Sequence, residues 1–198
     1  KELQYNTMQL EFINGFISQT IKQMKHKWPE LLFFASQPGA TSWQQMDYSE
    51  FDAIDVHFWF SHNKEFNTHT GVSGLNLFRS EEDRYFKENY KKVTDYWYKN
   101  KKELSIWMEG RIAAVGLLGR ELNIPVGNTE GWGAVFWQDH PLTDWSFIKD
   151  AGNVAVELAI KHNYKFICTS NFTHPQFNGI WKDVGWHQQL TRKIKEGK

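Results

Sequence analysis

Apolar positions recur along the chain with two different periods, and the period predicts which segments are helices and which are strands. From residue 6 to residue 27 they recur at helical spacing, and Trp28-Pro29 ends that helix because the residue before a proline disfavours helical geometry. The same reasoning, helped by the end signals Asn123 and Asn163, predicts further helices at residues 80–98, 102–122, 144–162 and 184–195, with a short helical stretch at 43–48.

Shorter apolar runs predict strands at residues 31–36, 52–60, 124–129 and 165–170. Strict alternation in the second run assigns its side chains to two faces: Ile54, Val56, Phe58 and Phe60 on one, and Asp55, His57 and Trp59 on the other. Residues 61–77 are polar and rich in glycine and asparagine, which predicts a long loop. Strands that alternate with helices predict an α/β fold with a parallel sheet, either half of a (β/α)8 barrel of the TIM type or a small open sheet.

Composition removes several classes of function. The 198 residues suit one domain, and 23 basic residues balance 23 acidic ones, so no basic surface for a nucleic-acid partner is expected. No apolar run approaches the ~18 residues of a membrane span. The single cysteine, Cys168, excludes an internal disulfide framework and a cysteine-based zinc site, and the histidines lack metal-ligand spacing. We therefore predict no metal and no cofactor.

The aromatic content is high, with 10 Trp, 7 Tyr and 15 Phe among the 198 residues. Most aromatic rings in proteins belong to the core. Several of these rings, however, stand beside turns and polar residues, which favours a cleft that stacks flat ligands such as sugar rings.

Glu130 is the strongest candidate for catalysis. It follows the third predicted strand directly, within Glu-Gly-Trp-Gly, and a carboxylate at the carboxyl end of a barrel strand suits a glycosidase nucleophile. An ordinary loop glutamate is the alternative. His57 lies near the end of the second strand and either binds a sugar hydroxyl, holds a carboxylate in place or packs as a structural histidine. Asp55, deeper on the same face, either orients His57 or belongs to a structural network.

Two of these segments resemble a known family. Residues 124–133, Ile-Pro-Val-Gly-Asn-Thr-Glu-Gly-Trp-Gly, resemble the seventh strand of glycoside hydrolase family 5 and its cellulase-like relatives, and residues 54–59 resemble their sixth strand. The resemblance implies that Glu130 is the nucleophile and that His57 assists it. It also implies a set of substrate-binding residues at the strand ends and beyond: Gln37, Trp59, Trp132, Asn171 and Trp181.

The resemblance also implies what the chain lacks. The acid/base Asn-Glu-Pro motif of the family does not occur in the sequence. Residues 1–198 would then form a single domain, the carboxy-terminal half of a barrel (strands five to eight), with a long loop and helical insertion around residues 61–100. A retaining β-glycoside hydrolase of this kind would take its acid/base glutamate from an amino-terminal half and would be inactive alone.

Partners follow from the same resemblance. We expect an oligo- or polysaccharide as ligand, and either the missing half-barrel or a second copy as protein partner, since half a barrel exposes two sheet edges. The resemblance alone favours a secreted or periplasmic location. A non-catalytic carbohydrate-binding protein on the same scaffold is the main alternative. An open α/β domain that binds a small metabolite is a weaker one, because no glycine-rich phosphate loop follows a strand.

Overall fold

The computed structural model of the chain describes residues 7–38, 43–71, 82–133, 142, 144–169 and 178–197. Within these ranges the helices are α1 Thr7–Lys27, α2 Lys64–Thr70, α3 Glu82–Leu122, α4 Ser146–Lys161, α5 Asn178–Trp181 and α6 Val184–Glu196. The strands are β1 Phe34–Pro38, β2 Ala53–His57, β3 Val126–Asn128 and β4 Phe166–Ile167. Short 3-10 turns occupy Trp43–Gln45 and Phe60–His62.

The four strands form one parallel sheet in the order β1-β2-β3-β4, which confirms the predicted mixed α/β architecture. Along β1 and β2 the pairing runs from Phe34 with Ala53 to Pro38 with His57. Between β2 and β3, the paired residues are Ile54 with Val126 and Asp55 with Gly127. Because all four strands run in one direction, their carboxyl ends meet at the same edge of the sheet, where ligand sites of parallel sheets are found.

The two faces of the sheet differ in chemistry. Ile54 and Val56 are fully buried and belong to one apolar cluster with residues from α3 and α4, among them Met108, Ile112, Ala151, Ala155 and Ala159. The opposite face carries Asp55 and His57, which hydrogen-bond to each other. The predicted alternation along β2 is therefore confirmed, and it separates a packed apolar face from a polar one.

The sheet curves toward its polar face. Phe34 of β1 and Phe166 of β4 belong to outer strands of the order β1-β2-β3-β4, yet their ring centroids are only 5.3 Å apart. Gly127 of β3 leaves the space, because a Cβ there would lie 2.6 Å from the Phe166 ring. Such curvature is expected of part of a (β/α)8 barrel, in which strands tilt and coil around a filled interior.

The structure corrects two of the sequence predictions. Part of the predicted loop at 61–77 is helix α2, which Asn63 caps by accepting a hydrogen bond from the Phe66 N–H at 2.9 Å; residues 72–77 lie outside the described ranges. The helices predicted at 80–98 and 102–122 form one helix, α3, with a local break at Asn100 (φ −119°, ψ 19°).

The four strands are shorter than the apolar runs that predicted them, because a residue belongs to a strand only where a neighbouring strand pairs with it. No helix among the described segments is both long enough and apolar enough to cross a membrane.

Candidate functional site

An extra residue in the chain after β3 brings Glu130 to the polar face of the sheet. Asp55 pairs with Gly127, and the next parallel bridge joins Trp59 to Trp132. Between these two pairs the β2 side advances four residues and the β3 side five, which is the arrangement of a β-bulge. Simple alternation from Val126 would turn Glu130 toward the helices. The bulge, residues 128–131, instead places its carboxylate beside His57.

His57 lies between two carboxylates. Its Nδ1 is 3.0 Å from Oε1 of Glu130, and its Nε2 is 3.0 Å from Oδ2 of Asp55. Two hydroxyl oxygens also lie near Nε2, Oγ1 of Thr129 at 3.2 Å and Oγ of Ser36 at 3.3 Å. Each ring nitrogen thus has an anionic acceptor within hydrogen-bonding distance, an arrangement that suits a doubly protonated imidazolium.

Asp55 is the buried end of this chain of charges, with 3% of its surface exposed. Its Oδ1 accepts a hydrogen bond from the Thr129 N–H at 2.9 Å, and its Oδ2 accepts one from the Thr129 hydroxyl at 2.6 Å. Thr129 immediately precedes Glu130, so the contacts of one carboxylate connect β2 to the segment that carries the candidate nucleophile.

The electrostatics favour the ionised pair. Burial by itself would lower the pKa of His57, but the hydrogen bond with Asp55 and the negative charges of Asp55 and Glu130 outweigh it and raise that pKa. Burial would likewise raise the pKa of Asp55. Hydrogen bonds from His57 and Thr129, together with the charge of His57, lower it instead. Both shifts stabilise a His57 cation between carboxylates.

Glu130 is the accessible end of the cluster, with 29% of its side chain exposed. Its Oε1 faces His57, and no described residue donates a hydrogen bond to Oε2. An ionised carboxylate with one oxygen held by a cation and the other open can attack an electrophilic carbon or accept hydrogen bonds from sugar hydroxyls.

The two predicted stacking residues nearest Glu130 are inside the protein. Trp59 has 4% of its surface exposed and Trp132 has 0%, and the Trp132 indole N–H donates to the Cys168 carbonyl at 3.2 Å. In this structure both rings are therefore enclosed by protein and present no open stacking face. Their contact with a sugar stays a prediction.

The remaining predicted residues are not brought to this cluster by the described structure. Gln37 pairs with Val56, so alternation turns it to the face opposite His57. Trp181 is 48% exposed and lines a groove of about 380 Å³ with residues of α6, including His187 and Arg192. Asn171 lies outside the described residues.

Sequence reasoning missed Ser36 and Thr129, which both contact His57. Ser36 immediately precedes Gln37, and alternation allows only one of these two neighbours to face the site. Gln37 was predicted to do so, whereas the structure places Ser36 there. Thr129 had only its position next to Glu130 as a signal. Within the described ranges, no group of three or more histidine, cysteine, aspartate or glutamate side chains is arranged to hold a metal ion.

Comparison with known proteins identifies the family of the chain. A family model described as sugar-binding cellulase-like matches residues 2–195. Among solved structures, the chain is similar to that of a proposed glycoside hydrolase from Parabacteroides distasonis, with 26% sequence identity and a TM-score of 0.79. The match covers 91% of this chain and 48% of that one, so the chain spans about half the length of that relative. None of the curated proteins matches the chain.

Proposed function

This chain belongs to the sugar-binding cellulase-like family, and from that premise we propose that it is the nucleophile-bearing part of a retaining β-glycoside hydrolase. One observation carries the proposal. A partly exposed carboxylate, Glu130, follows the central strand β3 at the carboxyl edge of a parallel sheet and has its Oε1 3.0 Å from Nδ1 of His57. That edge is where (β/α)8 enzymes place their reacting groups.

In the proposed reaction, Oε2 of Glu130 attacks the anomeric carbon of a β-linked sugar and forms a glycosyl ester as the glycosidic bond breaks. The departing oxygen takes a proton from an acid on the opposite side of that bond. Water, deprotonated by the same group, then releases the sugar and restores the free carboxylate. His57 orients the Glu130 carboxylate through its Nδ1–H, which leaves Oε2 free to attack.

The acid/base is a second carboxyl group, about 5–5.5 Å from the nucleophile in retaining enzymes. Asp55 is unsuited to this role because it is buried behind His57 and already accepts three hydrogen bonds. We infer that the acid comes from polypeptide outside this chain, in an arrangement in which the chain supplies part of a longer barrel. The relative from Parabacteroides distasonis, of which the match covers 48%, supports that arrangement.

The same scaffold supports a second candidate function, carbohydrate binding without hydrolysis. Among the described residues, Glu130 is the one accessible carboxylate in contact with His57, and no partner acid faces it. An ion-paired carboxylate and neighbouring hydroxyls suffice to hold sugar hydroxyl groups. In this second function the chain would bind a saccharide, as the family description implies, without cleaving a glycosidic bond.

Glu130→Gln tests the proposal in two proteins, this chain and a longer form that includes any barrel strands encoded upstream. We expect the longer form to cleave one of a panel of cello-, manno- and xylo-oligosaccharides with retention, seen by NMR of the first-formed anomer. In that protein Glu130→Gln should abolish turnover and leave oligosaccharide binding, measured by calorimetry, nearly unchanged.

Glu109→Gln is the matched control. Glu109 is a carboxylate of α3 that pairs with Lys161 in the helical layer, so this variant should keep both turnover and binding. Turnover near wild type in Glu130→Gln would exclude the nucleophile role. Saccharide binding without cleavage by either length of protein would favour the binding function instead.

A further inference from the structure

We propose that Asp55 is a positioning residue of this site: its buried carboxylate fixes both the His57 ring and the bulge that carries Glu130. This inference deepens the proposed function and rests on it for its catalytic meaning, but its geometry can be tested without any sugar.

The first argument comes from the backbone. Regular pairing of β2 with β3 ends at Asp55 and Gly127 and resumes only at the Trp59–Trp132 bridge. Inside this gap the Thr129 N–H donates to the Asp55 side chain, over a sequence separation of 74 residues. The Asp55 carboxylate thus takes the place of a missing strand partner, one residue before Glu130.

The Asn128 side chain forms a second anchor of the bulge. The Asn128 side-chain amide donates to the Glu130 carbonyl at 3.3 Å and to the Cys168 sulfur at 2.9 Å. Asn128 therefore ties the bulge to the segment after β4, while Asp55 ties it to β2. Of these two anchors, only Asp55 also contacts the ring that faces the Glu130 carboxylate.

The third argument comes from charge. Asp55 is 3% exposed, and its described hydrogen-bond partners are the Thr129 N–H, the Thr129 hydroxyl and His57, without a lysine or arginine. A buried carboxylate needs compensation, and among these partners the imidazolium is the one cation. His57 is therefore held as a cation at fixed orientation, and its second nitrogen reaches Glu130.

The other titratable groups around Asp55 and His57 do not supply a positive charge to compensate the Asp55 carboxylate. His62, in the 3-10 turn after β2, has its pKa lowered to about 4, chiefly by burial, so it is neutral at neutral pH. Burial also raises the pKa of Tyr164, which lies close enough to Asp55 to feel its charge, so that phenol stays protonated. Glu130 adds a negative charge on the far side of the ring.

The test is a histidine-labelled NMR titration of this chain as wild type and as Asp55→Asn. Asparagine preserves the shape and can still accept from the Thr129 N–H, but it carries no charge to stabilise the His57 cation. In the wild type we expect the His57 imidazolium to lose its proton with a midpoint above the ordinary value of 6.5. In Asp55→Asn the midpoint should move to lower pH.

Asp150→Asn is the matched control, since Asp150 accepts hydrogen bonds from Trp97 and Lys101 of α3 in the helical layer. It should leave the His57 titration unchanged while removing a comparable carboxylate. Equal His57 midpoints in folded wild type and Asp55→Asn would overturn the proposal. If Asp55→Asn does not fold, the wild type still decides, because a His57 midpoint at or below 6.5 contradicts a carboxylate-held cation.

In the longer protein, Asp55→Asn should lower kcat with little change in KM, because it misplaces the nucleophile without removing a sugar contact. Should no form hydrolyse any glycan, the hydrolase proposal fails, yet the NMR result still decides the positioning role. The two failures are therefore distinguishable.

Discussion

Gly131 follows Glu130 at a point where a methyl group has no room. A Cβ there would lie 2.8 Å from the Phe58 carbonyl oxygen and 3.3 Å from the Asn128 side-chain nitrogen. The first of these is backbone of the neighbouring segment and cannot rotate away, and the second is one anchor of the bulge. Any larger residue must therefore displace the bulge, and Glu130 with it.

We expect Gly131→Ala to lower the free energy of unfolding by about 1–3 kcal/mol, the usual cost of overpacking. Gly110→Ala in α3 is the control, because a Cβ at Gly110 would meet no neighbouring atom within 4 Å and alanine favours a helix over glycine by up to about 1 kcal/mol. Urea unfolding followed by fluorescence measures both. A Gly131→Ala protein as stable as the wild type would show that the bulge tolerates displacement.

At this scale the sequence located the right residue types but not their geometry. Alternation along β2 predicted that Asp55 and His57 share a face, and their hydrogen bond confirms it. The same rule applied to β3 turns Glu130 away from His57. The bulge that corrects this depends on contacts such as Asp55 with Thr129, 74 residues apart, which no local pattern encodes.

Among the elements, the helices with a clear apolar period were predictable, whereas α3 was predicted as two helices and the short helix α2 was missed. Helices α1, α4 and α6 begin and end within one or two residues of the periodic segments, because many apolar positions define each face. Helix α2 buries only Phe66 and Thr70, too few to show a period. Its signals are its ends, namely Asn63 as the cap and Gly71 with a left-handed φ of 69°.

The cap gives a prediction for α2. Asn63→Ala removes the oxygen that accepts the Phe66 N–H, and we expect the free energy of unfolding to fall by about 1 kcal/mol. Asn63→Asp retains a good capping oxygen and should remain close to wild type. Thermal unfolding of the three proteins measures the difference, and identical stabilities of the alanine and aspartate variants would exclude a capping contribution.

At the scale of the whole molecule, several large apolar side chains lie outside the core and are exposed to solvent. Helix α1 exposes Met8, Phe12 and Phe16 by 78%, 73% and 63%, and these residues are spaced four apart, so they share one face. β1 is the first strand in the order of the sheet, and Leu32 just before it is 72% exposed. The apolar periodicity predicted helix α1 correctly, but among the described elements none covers its apolar face.

An exposed apolar helix face favours association, because burying it removes apolar surface from water. We expect the 198-residue chain to self-associate through α1 at high concentration, with a weight-average mass above the 23.4 kDa of one chain in sedimentation equilibrium. The double variant Phe12→Glu/Phe16→Glu should restore the single-chain mass. Ile106→Glu, which changes a 61% exposed residue of α3, should not. A wild-type chain that stays monomeric, or an Ile106 variant that dissociates equally well, would show that the α1 face is not the site of association.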